Sequence, residues 1–334
     1  MIQFEVGENR TIASLTMETR ELRAPVGNEI IVRLEASSLN FHDYLVATGA
    51  IPVVPGRVPL SDGVGIVESC GPDAIDFKPG DRVMGTFFAD WEDGEVTAIR
   101  TGRMLGDHVD GFAASHVTMP ETYFTRAPAG LSAIESACLP CAGVTAWRAV
   151  MVEGRIRPGD TVLVQGSGGV AIFALQIARM AGARVIATTT SQAKADRLLA
   201  LGASDVIDRT MEPAWGKRAR ELSGSGVDLV VEVAGGDLGQ SLQALRVGGQ
   251  LCLVGVLSRQ PIQFPPIHMI HANRRITGIT VGSRKHQADF VRAVELGGLR
   301  PVIDSTYPFR SLQEALQHME VQQHVGKITI DFEK

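Results

Sequence analysis

Long apolar runs and clusters of basic residues are both missing from this 334-residue sequence. No stretch reaches the roughly 18 apolar residues that a membrane-spanning helix needs. No run of about five basic residues is present that could follow a phosphate backbone, and the formal net charge is -5. The opening MIQFEVGENR contains acidic residues and lacks the apolar core of a signal peptide. We therefore expect a cytoplasmic protein that binds neither a membrane nor a nucleic acid.

Cysteine is scarce as well, with four residues in the whole chain. They are too few and too scattered for a disulfide framework, which is typical of a reducing compartment. Cys138 and Cys141 have the C-x-x-C spacing, but a structural zinc site needs a second pair or nearby histidines. This segment contains neither, so we expect no metal there.

The composition, with 45% apolar and 21% charged residues, is that of a folded globular protein. At this length we expect two domains with well-developed cores. Up to about residue 85, short β-branched runs are broken by Gly, Pro and Asn, which predicts a β-rich domain. Residues 86 to 112 have few periodic apolar positions, and this pattern predicts a long surface loop.

From about residue 158 apolar strands alternate with helical segments, beginning with TVLVQG, VAIFALQIARMAG and ARVIATT. This alternation predicts about six parallel strands with right-handed crossovers in a doubly wound sheet. The last strand, KITIDF, is expected to return to the first domain. The predicted fold class is α/β.

The strongest motif is the glycine-rich turn in TVLVQGSGGVA. Gly166, Gly168 and Ala171 match G-x-G-x-x-[GA] between an apolar strand and an amphipathic helix. Gly166 allows the tight turn, Gly168 lets a pyrophosphate approach the backbone, and Ala171 lets the helix pack closely on the strand. The pyrophosphate of a dinucleotide then lies at the helix N-terminus beside Gly169. The alternative is a glycine-rich turn that binds nothing.

The end of the following strand indicates which dinucleotide is bound. NAD-selective sites usually carry an acid there, but residues 188 to 191 are hydroxyl-bearing, among them Thr189 and Ser191. Lys194 and Arg197 follow, and their cations suit a 2′-phosphate. This favours NADP, with NAD still open. The alternative for Lys194 and Arg197 is a solvated helix face.

With these pieces in place, the chain resembles the medium-chain dehydrogenase/reductase superfamily, and within it the zinc-lacking branch related to quinone oxidoreductases. The resemblance implies a GroES-like catalytic domain (1–142 and 282–334), a central Rossmann domain (143–281) and an active-site cleft between them. It also implies a homodimer or homotetramer built through the central sheet. The matching segments are SSLNFHDYLVATG, LSDGVGIVESCG, KPGDRVMG, LPCAGVTAWRAV, GSGGVA, LVGV and HVGKI.

The resemblance also bears on zinc. Zinc-dependent members hold the metal with a Cys, a His and a second Cys or acid, and these positions correspond here to Asn40, Ser61 and Cys141, with Asp62 in place of the adjoining glutamate. One thiolate and one acid make a poor tetrahedral site. The cysteine-rich lobe for structural zinc is absent from 86–112. Zinc independence is therefore expected. An atypical zinc alcohol dehydrogenase using Cys141, Asp62 and His42 remains an alternative, as does a non-catalytic cofactor-binding protein.

Hydride transfer without a metal needs a side chain that supplies a proton. By resemblance, His42 occupies the position of the hydroxyl residue that relays the proton in zinc-containing relatives. Tyr44, Asn40 and Asp62 are the other candidates. For Asp43 the bracing of the loop by hydrogen bonds is the favoured interpretation.

By the same resemblance, the residues that pack against the nicotinamide are Thr145, Val170, Val254, Gly255 and Val256. Lys327 is expected to reach the cofactor or the rim of the cleft. The catalytic Tyr of enoyl-thioester reductases is absent, which argues against an acyl-thioester substrate. The function expected is reduction of a small carbonyl compound, quinone or activated alkene with NAD(P)H.

Overall fold

The computed structural model describes residues 1–333. Its strands are β1 (Ile2–Glu5), β2 (Thr16–Thr19), β3 (Glu29–Ser38), β4 (Val64–Cys70), β5 (Arg82–Gly85), β6 (His116–Pro120), β7 (Phe124–Arg126), β8 (Thr161–Gln165), β9 (Arg184–Thr189), β10 (Asp205–Asp208), β11 (Val227–Glu232), β12 (Leu245–Leu253), β13 (Arg275–Gly278), β14 (Ile303–Pro308) and β15 (Lys327–Asp331).

The α-helices are α1 (Phe41–Ala47), α2 (Ala98–Thr101), α3 (Ala133–Ala137), α4 (Val144–Trp147), α5 (Gly169–Met180), α6 (Gln192–Ala200), α7 (Trp215–Ser223), α8 (Gly239–Ala244), α9 (Ile267–Ile270), α10 (Arg284–Gly297) and α11 (Leu312–Val321). Helical turns with π geometry, Leu139–Gly143 and Arg148–Glu153, flank α4. In the part of the chain from 1 to 333, no helix is long and apolar enough to cross a membrane.

The chain divides into two compact units. The first consists of Met1–Val144 and Gly282–Lys334, and the second of Thr145–Val281. The domain limits expected from the sequence, after 142 and after 281, lie within two residues of these limits.

The first unit is built on a seven-stranded sheet of order β14-β15-β3-β4-β5-β7, with β6 paired to β3. Apart from β14 and β15, which run parallel, neighbouring strands are antiparallel. β15 pairs with β3 through Ile330 and Ser37, so the C-terminal strand returns to the first unit as predicted. The long strand β3 is central because it pairs with β15, β4 and β6, and its β-branched residues Ile30, Ile31 and Val32 are buried.

Residues 86–112 are not simply a surface loop, and the prediction for this segment is wrong. Only α2 is regular within it, yet several large apolar side chains are buried. The ring of Phe112 occupies the space beside two glycines, because a Cβ on Gly63 or Gly85 would lie 2.3 or 2.1 Å from it. These apolar residues follow neither a strand nor a helix period, so periodicity did not reveal them. The buried side chains are Phe87, Phe88, Trp91, Leu105 and Phe112.

The second unit contains a six-stranded sheet of order β10-β9-β8-β11-β12-β13. All its pairs are parallel, as the alternation of strands and helices predicted. Every residue of β8 is buried, which is typical of a parallel strand covered by helices on both faces. The strand order reverses between β8 and β11, and ligands of doubly wound sheets bind at such a point. The register places Gln165 of β8 beside Thr188 of β9.

Candidate functional site

The glycine-rich turn has the geometry that a dinucleotide phosphate requires. Gly166 follows β8 with a φ of +76°, and its N–H donates to the Thr188 carbonyl at 2.8 Å. Gly168 caps α5 in an extended conformation, and a Cβ added at Gly166 or Gly168 would meet no atom within 4 Å. Gly169 and Val170 form the first turn, whose N–H groups have no partner within the helix. The open backbone in front of a helix N-terminus fits a pyrophosphate.

The end of β9 also fits the predicted cofactor, with one residue that the sequence analysis missed. Thr188 is fully buried, and its Oγ1 has no hydrogen-bond partner in the described chain. Nε of the Arg209 side chain is likewise buried without a partner, while the backbone N–H of Arg209 donates to the Thr189 carbonyl at 2.9 Å. Thr189 Oγ1 accepts from the N–H of Ser191, the N-cap of α6. Lys194 is half-buried on α6.

Arg209 comes into this group because β10 pairs with β9, with Asp208 beside Thr189. Asp208, the acid that lies beside Thr189, already has hydrogen-bond partners. Its carboxylate accepts from the N–H and hydroxyl of Thr210, and these bonds lower its pKa. A hydroxyl and a guanidinium nitrogen without partners are donors that a 2′-phosphate would satisfy. The only sequence signal for Arg209 was its position directly after the third strand.

The residues predicted to lie around the nicotinamide, Thr145 and 254–256, are found elsewhere in the second unit. Thr145 is buried in α4. Residues 254–256 follow β12, where Val256 is exposed and a Cβ on Gly255 would lie 2.3 Å from the Val233 carbonyl oxygen. This turn is tied to β11, since the Val254 N–H donates to the carbonyl of Glu232 at 2.9 Å.

Glu232 is a buried carboxylate at the end of β11, and no motif in the sequence pointed to it. It accepts hydrogen bonds from Gln165 Nε2 at 2.6 Å and from the Ser241 hydroxyl. Its other oxygen accepts from the N–H groups of Ala234 and Gly235. With four donors satisfied, Glu232 holds the turn after β11 in place beside β8.

In the first unit, the positions that the resemblance assigned to zinc form a closed polar cluster instead. Asp62 Oδ2 accepts from Ser38 Oγ at 2.7 Å and Asn40 Nδ2 at 2.8 Å, and Oδ1 accepts from the Cys141 N–H at 3.0 Å. Lys327 Nζ donates to the Asn40 side-chain carbonyl and to the Leu39 backbone carbonyl, and lies 3.6 Å from Asp62 Oδ2. We call Ser38, Asn40, Asp62, Cys141 and Lys327 the Asp62 cluster.

Burial dominates the electrostatics of the Asp62 cluster. Desolvation raises the pKa of Asp62, against the lowering effect of the Lys327 ammonium and of the bonds from Ser38 and Asn40. Desolvation of the Cys141 thiol, with Asp62 beside it, raises the pKa of that thiol well above its usual range. A cysteine that binds zinc does so as a thiolate, whereas burial favours the neutral thiol of Cys141, and the Lys327 ammonium lies in the same cluster.

Asn40 and Asp62 thus have hydrogen-bond partners inside the cluster, and Lys327, predicted to touch the cofactor, is 3% exposed and pairs there too. Asp43 braces the same loop as expected: its carboxylate accepts the N–H groups of Asn40 and Ser61, each at 2.8 Å. Leu60, which directly precedes Ser61, has a φ of +74°, a strained conformation for a buried leucine. The bonds to Asp43 hold this strained turn.

Tyr44, another catalytic candidate, is also engaged by neighbouring side chains. Its ring stacks on Phe41 with centroids 5.7 Å apart, and its hydroxyl donates to Glu320 Oε1 of α11 at 2.8 Å. The geometry supports a packing role for Tyr44, which ties α1 to α11.

His42 differs from the other candidates because one ring nitrogen has no hydrogen bond. Its Nε2 is buried and without a hydrogen-bond partner in residues 1–333. The ring packs edge-on against Phe87 at 5.2 Å, and Asp107 Oδ2 lies 3.7 Å from Nε2. Asp107 comes from the segment predicted to be a surface loop, and no pattern in the sequence connected it with His42.

The comparisons with known proteins agree with this architecture. Residues 27–129 match the family model described as alcohol dehydrogenase GroES-like domain, and residues 169–297 match the one described as zinc-binding dehydrogenase. A zinc-type alcohol dehydrogenase-like protein of Schizosaccharomyces pombe is 36% identical over 317 residues, which cover 90% of each chain.

Solved structures extend the match over nearly the whole chain. One from Sinorhizobium meliloti, assigned to the alcohol dehydrogenases, is 40% identical with a TM-score of 0.93, covering 99% of both chains. A NAD-dependent alcohol dehydrogenase is 30% identical with a TM-score of 0.91 and the same coverage. The glycine-rich turn, the two-unit fold and these relatives together show that the chain belongs to the medium-chain dehydrogenase/reductase superfamily and is an NAD(P)-dependent oxidoreductase.

Proposed function

We propose that this oxidoreductase is a cytoplasmic, zinc-independent reductase that uses NADPH to reduce a small carbonyl compound, quinone or activated alkene. The observation that carries the proposal is the ammonium of Lys327 inside the Asp62 cluster. It lies 3.6 Å from Asp62 and bonds to Asn40, at the positions that relatives use around zinc. A fixed cation there stabilises the carboxylate and repels a second positive charge.

NADPH is favoured over NADH by the end of β9. The partnerless Thr188 hydroxyl and Arg209 Nε, with Ser191 and Lys194 close in sequence, are donors for a 2′-phosphate. No acid follows the last residue of β9 directly, where it would hold a ribose hydroxyl and repel the phosphate.

His42 is the proposed proton donor. When bound, the reduced nicotinamide supplies the hydride. The protein must then stabilise the oxyanion that develops on a carbonyl substrate and give it a proton. Asn40 and Asp62 have their polar atoms occupied inside the Asp62 cluster. His42, half-buried at the start of α1, has the imidazole that can transfer a proton near neutral pH.

Metal analysis tests zinc independence. Protein purified without chelator should contain far less than one zinc per chain, and its turnover should persist in 1,10-phenanthroline. A Lys327→Met variant, which removes the ammonium, leaves Asp62 buried without its counter-charge and should be less stable. One tightly bound zinc per wild-type chain would overturn the proposal.

Calorimetric titration with NADPH and NADH tests the cofactor preference. Wild-type protein should bind NADPH more tightly, and Arg209→Ala and Lys194→Ala should each weaken NADPH while leaving NADH nearly unchanged. Lys217→Ala, which removes an exposed ammonium that pairs with Glu221 on α7, is the matched control. Equal or tighter binding of NADH by the wild type would show that the assignment is wrong.

The role of His42 is tested by its substitution. His42→Ala should lower turnover of carbonyl substrates by a factor of about 100 or more, the usual contribution of general acid catalysis. NADPH binding should stay nearly unchanged, and quinone reduction should suffer less because it needs less help from an acid. Near-wild-type turnover in His42→Asn, with the same pH dependence, would eliminate His42 as the donor.

A further inference from the structure

Asp107 is a buried carboxylate whose polar neighbours are two histidines. It is 6% exposed, its Oδ2 lies 3.7 Å from His42 Nε2, and its Oδ1 lies 3.3 Å from His108 Nδ1. In the described part of the chain, no backbone or side-chain group makes a hydrogen bond to it. A carboxylate buried without donors is costly unless a cation stands beside it. The two imidazoles are therefore the groups of the described chain that lie close enough to this carboxylate to stabilise it.

The ring of His42 is held so that it faces this carboxylate. Nε2 is buried without a hydrogen bond, and Phe87 packs on the ring from the same segment that carries Asp107. The other charged groups near the start of α1 are already engaged: Asp43 accepts backbone N–H groups, and Glu320 accepts from Tyr44. Asp107 is thus the charged group left to face His42.

The turn that carries Asp107 is fixed against the strained Leu60. A Cβ on Gly106 or Gly111 would lie 2.8 or 2.1 Å from Leu60 backbone atoms, so the backbone of this turn is in direct contact with the backbone of Leu60. The Phe112 N–H donates to the Leu60 carbonyl at 2.9 Å, and the Gly111 N–H to the Val58 carbonyl at 2.8 Å. Such close backbone packing leaves little freedom to the carboxylate between them.

We propose that Asp107 is the positioning residue of His42: it orients the imidazole by drawing Nε2–H toward itself and stabilises the ring in its protonated form. This inference rests on the proposed role of His42 as proton donor. In each turnover Nε2–H stays directed at Asp107, and the charged ring gives its Nδ1 proton to the oxyanion formed by hydride transfer and becomes neutral. Water then returns one proton to the ring. His108, whose side chain is 47% exposed, connects the same carboxylate with solvent.

The test compares Asp107→Asn with Asp110→Asn in the full-length protein. Asp110 lies in the same segment, but its exposed carboxylate pairs with Arg57, so it controls for the loss of one negative charge. The ring nitrogens of His42 are followed by 15N NMR of histidine-labelled protein as a function of pH, with His42→Asn used to assign its signals. In Asp107→Asn the imidazolium loses its counter-ion, so the ring should titrate about one pH unit lower than in the wild type. Asp110→Asn should titrate as the wild type does.

Kinetics supply the second readout. In Asp107→Asn, kcat for a carbonyl substrate should fall about tenfold or more, with its pH profile moved in the same direction as the NMR titration and NADPH affinity unchanged. Asp107→Glu should recover part of the loss. Unchanged His42 signals and titration in Asp107→Asn would overturn the inference. This outcome is visible without any substrate, so it is distinct from a failure of His42→Ala to affect turnover, which would overturn the proposed donor instead.

Discussion

At the scale of single residues, the polar side chains at the start of α1 are divided between support and chemistry. Asn40 is a catalytic candidate in the sequence and Asp43 an expected brace, and the side chains of both bond to Asp62, Ser61 or the backbone of the loop. A buried polar group whose donors and acceptors are all hydrogen-bonded stabilises one conformation and has none left to bind a ligand. His42 differs because its ring has no hydrogen bond that fixes it as a brace, and this difference supports its proposed role as the proton donor.

Buried thiols give a residue-scale prediction. Burial raises the pKa of Cys138 and of Cys252 to about 12, whereas a thiol in an unfolded chain ionises near about 8.5. The unfolded state therefore loses these protons first as pH rises, and the native state keeps them. Each thiol contributes stability that is complete below about pH 8.5 and decreases above it by about 1.4 kcal/mol per pH unit, up to pH 12.

Replacing one of these thiols should reduce that slope. In Cys252→Ala the free energy of unfolding, measured with urea between pH 9 and 11, should fall less steeply than in the wild type by about 1.4 kcal/mol per pH unit. The cavity left by the missing sulfur lowers stability at every pH, so the slope and not the absolute value is the test. Parallel curves for the two proteins would contradict the assigned ionisation of Cys252.

At the scale of elements, glycines decide how closely strands and turns approach each other. Gly168 lies before α5 in an ordinary extended conformation with open space where its Cβ would be. Gly63 and Gly85 are different, because the ring of Phe112 fills the space beside them. The same residue type therefore serves ligand access in one unit and core packing in the other.

Gly168→Val should separate cofactor binding from folding. The added side chain meets no protein atom, so the thermal midpoint without cofactor should stay near that of the wild type. The side chain would stand where an anion approaches the N-terminus of α5, so the affinity for NADPH and NADH should both drop by about tenfold or more, at least about 1.4 kcal/mol. Undiminished affinity by calorimetry would mean that this turn does not hold the cofactor.

Gly85→Ala should instead destabilise the protein without touching the cofactor turn. Its methyl group would overlap the buried ring of Phe112, and overpacking of this kind costs about 1 to 3 kcal/mol. Phe112→Leu in the same chain should relieve the overlap, so a double-mutant cycle should show a favourable coupling of about 0.5 kcal/mol or more. Gly130→Ala, where a Cβ meets nothing within 4 Å, is the neutral control. Additive effects of Gly85→Ala and Phe112→Leu would contradict the proposed contact.

At the scale of the whole molecule, the six-stranded sheet of the second unit ends in β13, which pairs with β12 on one side. An edge strand with an unpaired side is a ready surface for a second copy of the chain. A dimer or tetramer joined through this sheet is the assembly that we expect.

Gly278→Arg tests this expectation. Gly278 is the last residue of β13, and a Cβ there meets nothing within 4 Å, so the monomer should fold normally. The arginine would obstruct pairing with another β13, and sedimentation velocity should show a smaller species than the wild type. Gly130→Arg, at an open position of the first unit, should assemble like the wild type. An unchanged assembly in Gly278→Arg would place the interface elsewhere.

Local patterns in the sequence were sufficient for the second unit and its glycine-rich turn. Strand, turn and helix follow one another within about 20 residues there, so periodicity and the spacing of Gly166 and Gly168 determine the geometry almost alone. The first unit gave weaker signals, and the segment from 86 to 112 was misjudged because its buried aromatic residues follow no regular period.

The roles of individual side chains depended on contacts between distant parts of the chain. Lys327 reaches Asn40 across 287 positions of sequence, and only the pairing of β15 with β3 brings them together. Arg209 meets the end of β9 through the pairing of β10, and Asp107 meets His42 through a turn packed on Leu60. The sequence by itself determined which elements of the second unit form and where its glycine-rich turn lies, because both depend on neighbouring residues. The tertiary structure decided which polar groups are consumed as braces and which stay available for chemistry, since that depends on which distant donors and acceptors are buried side by side.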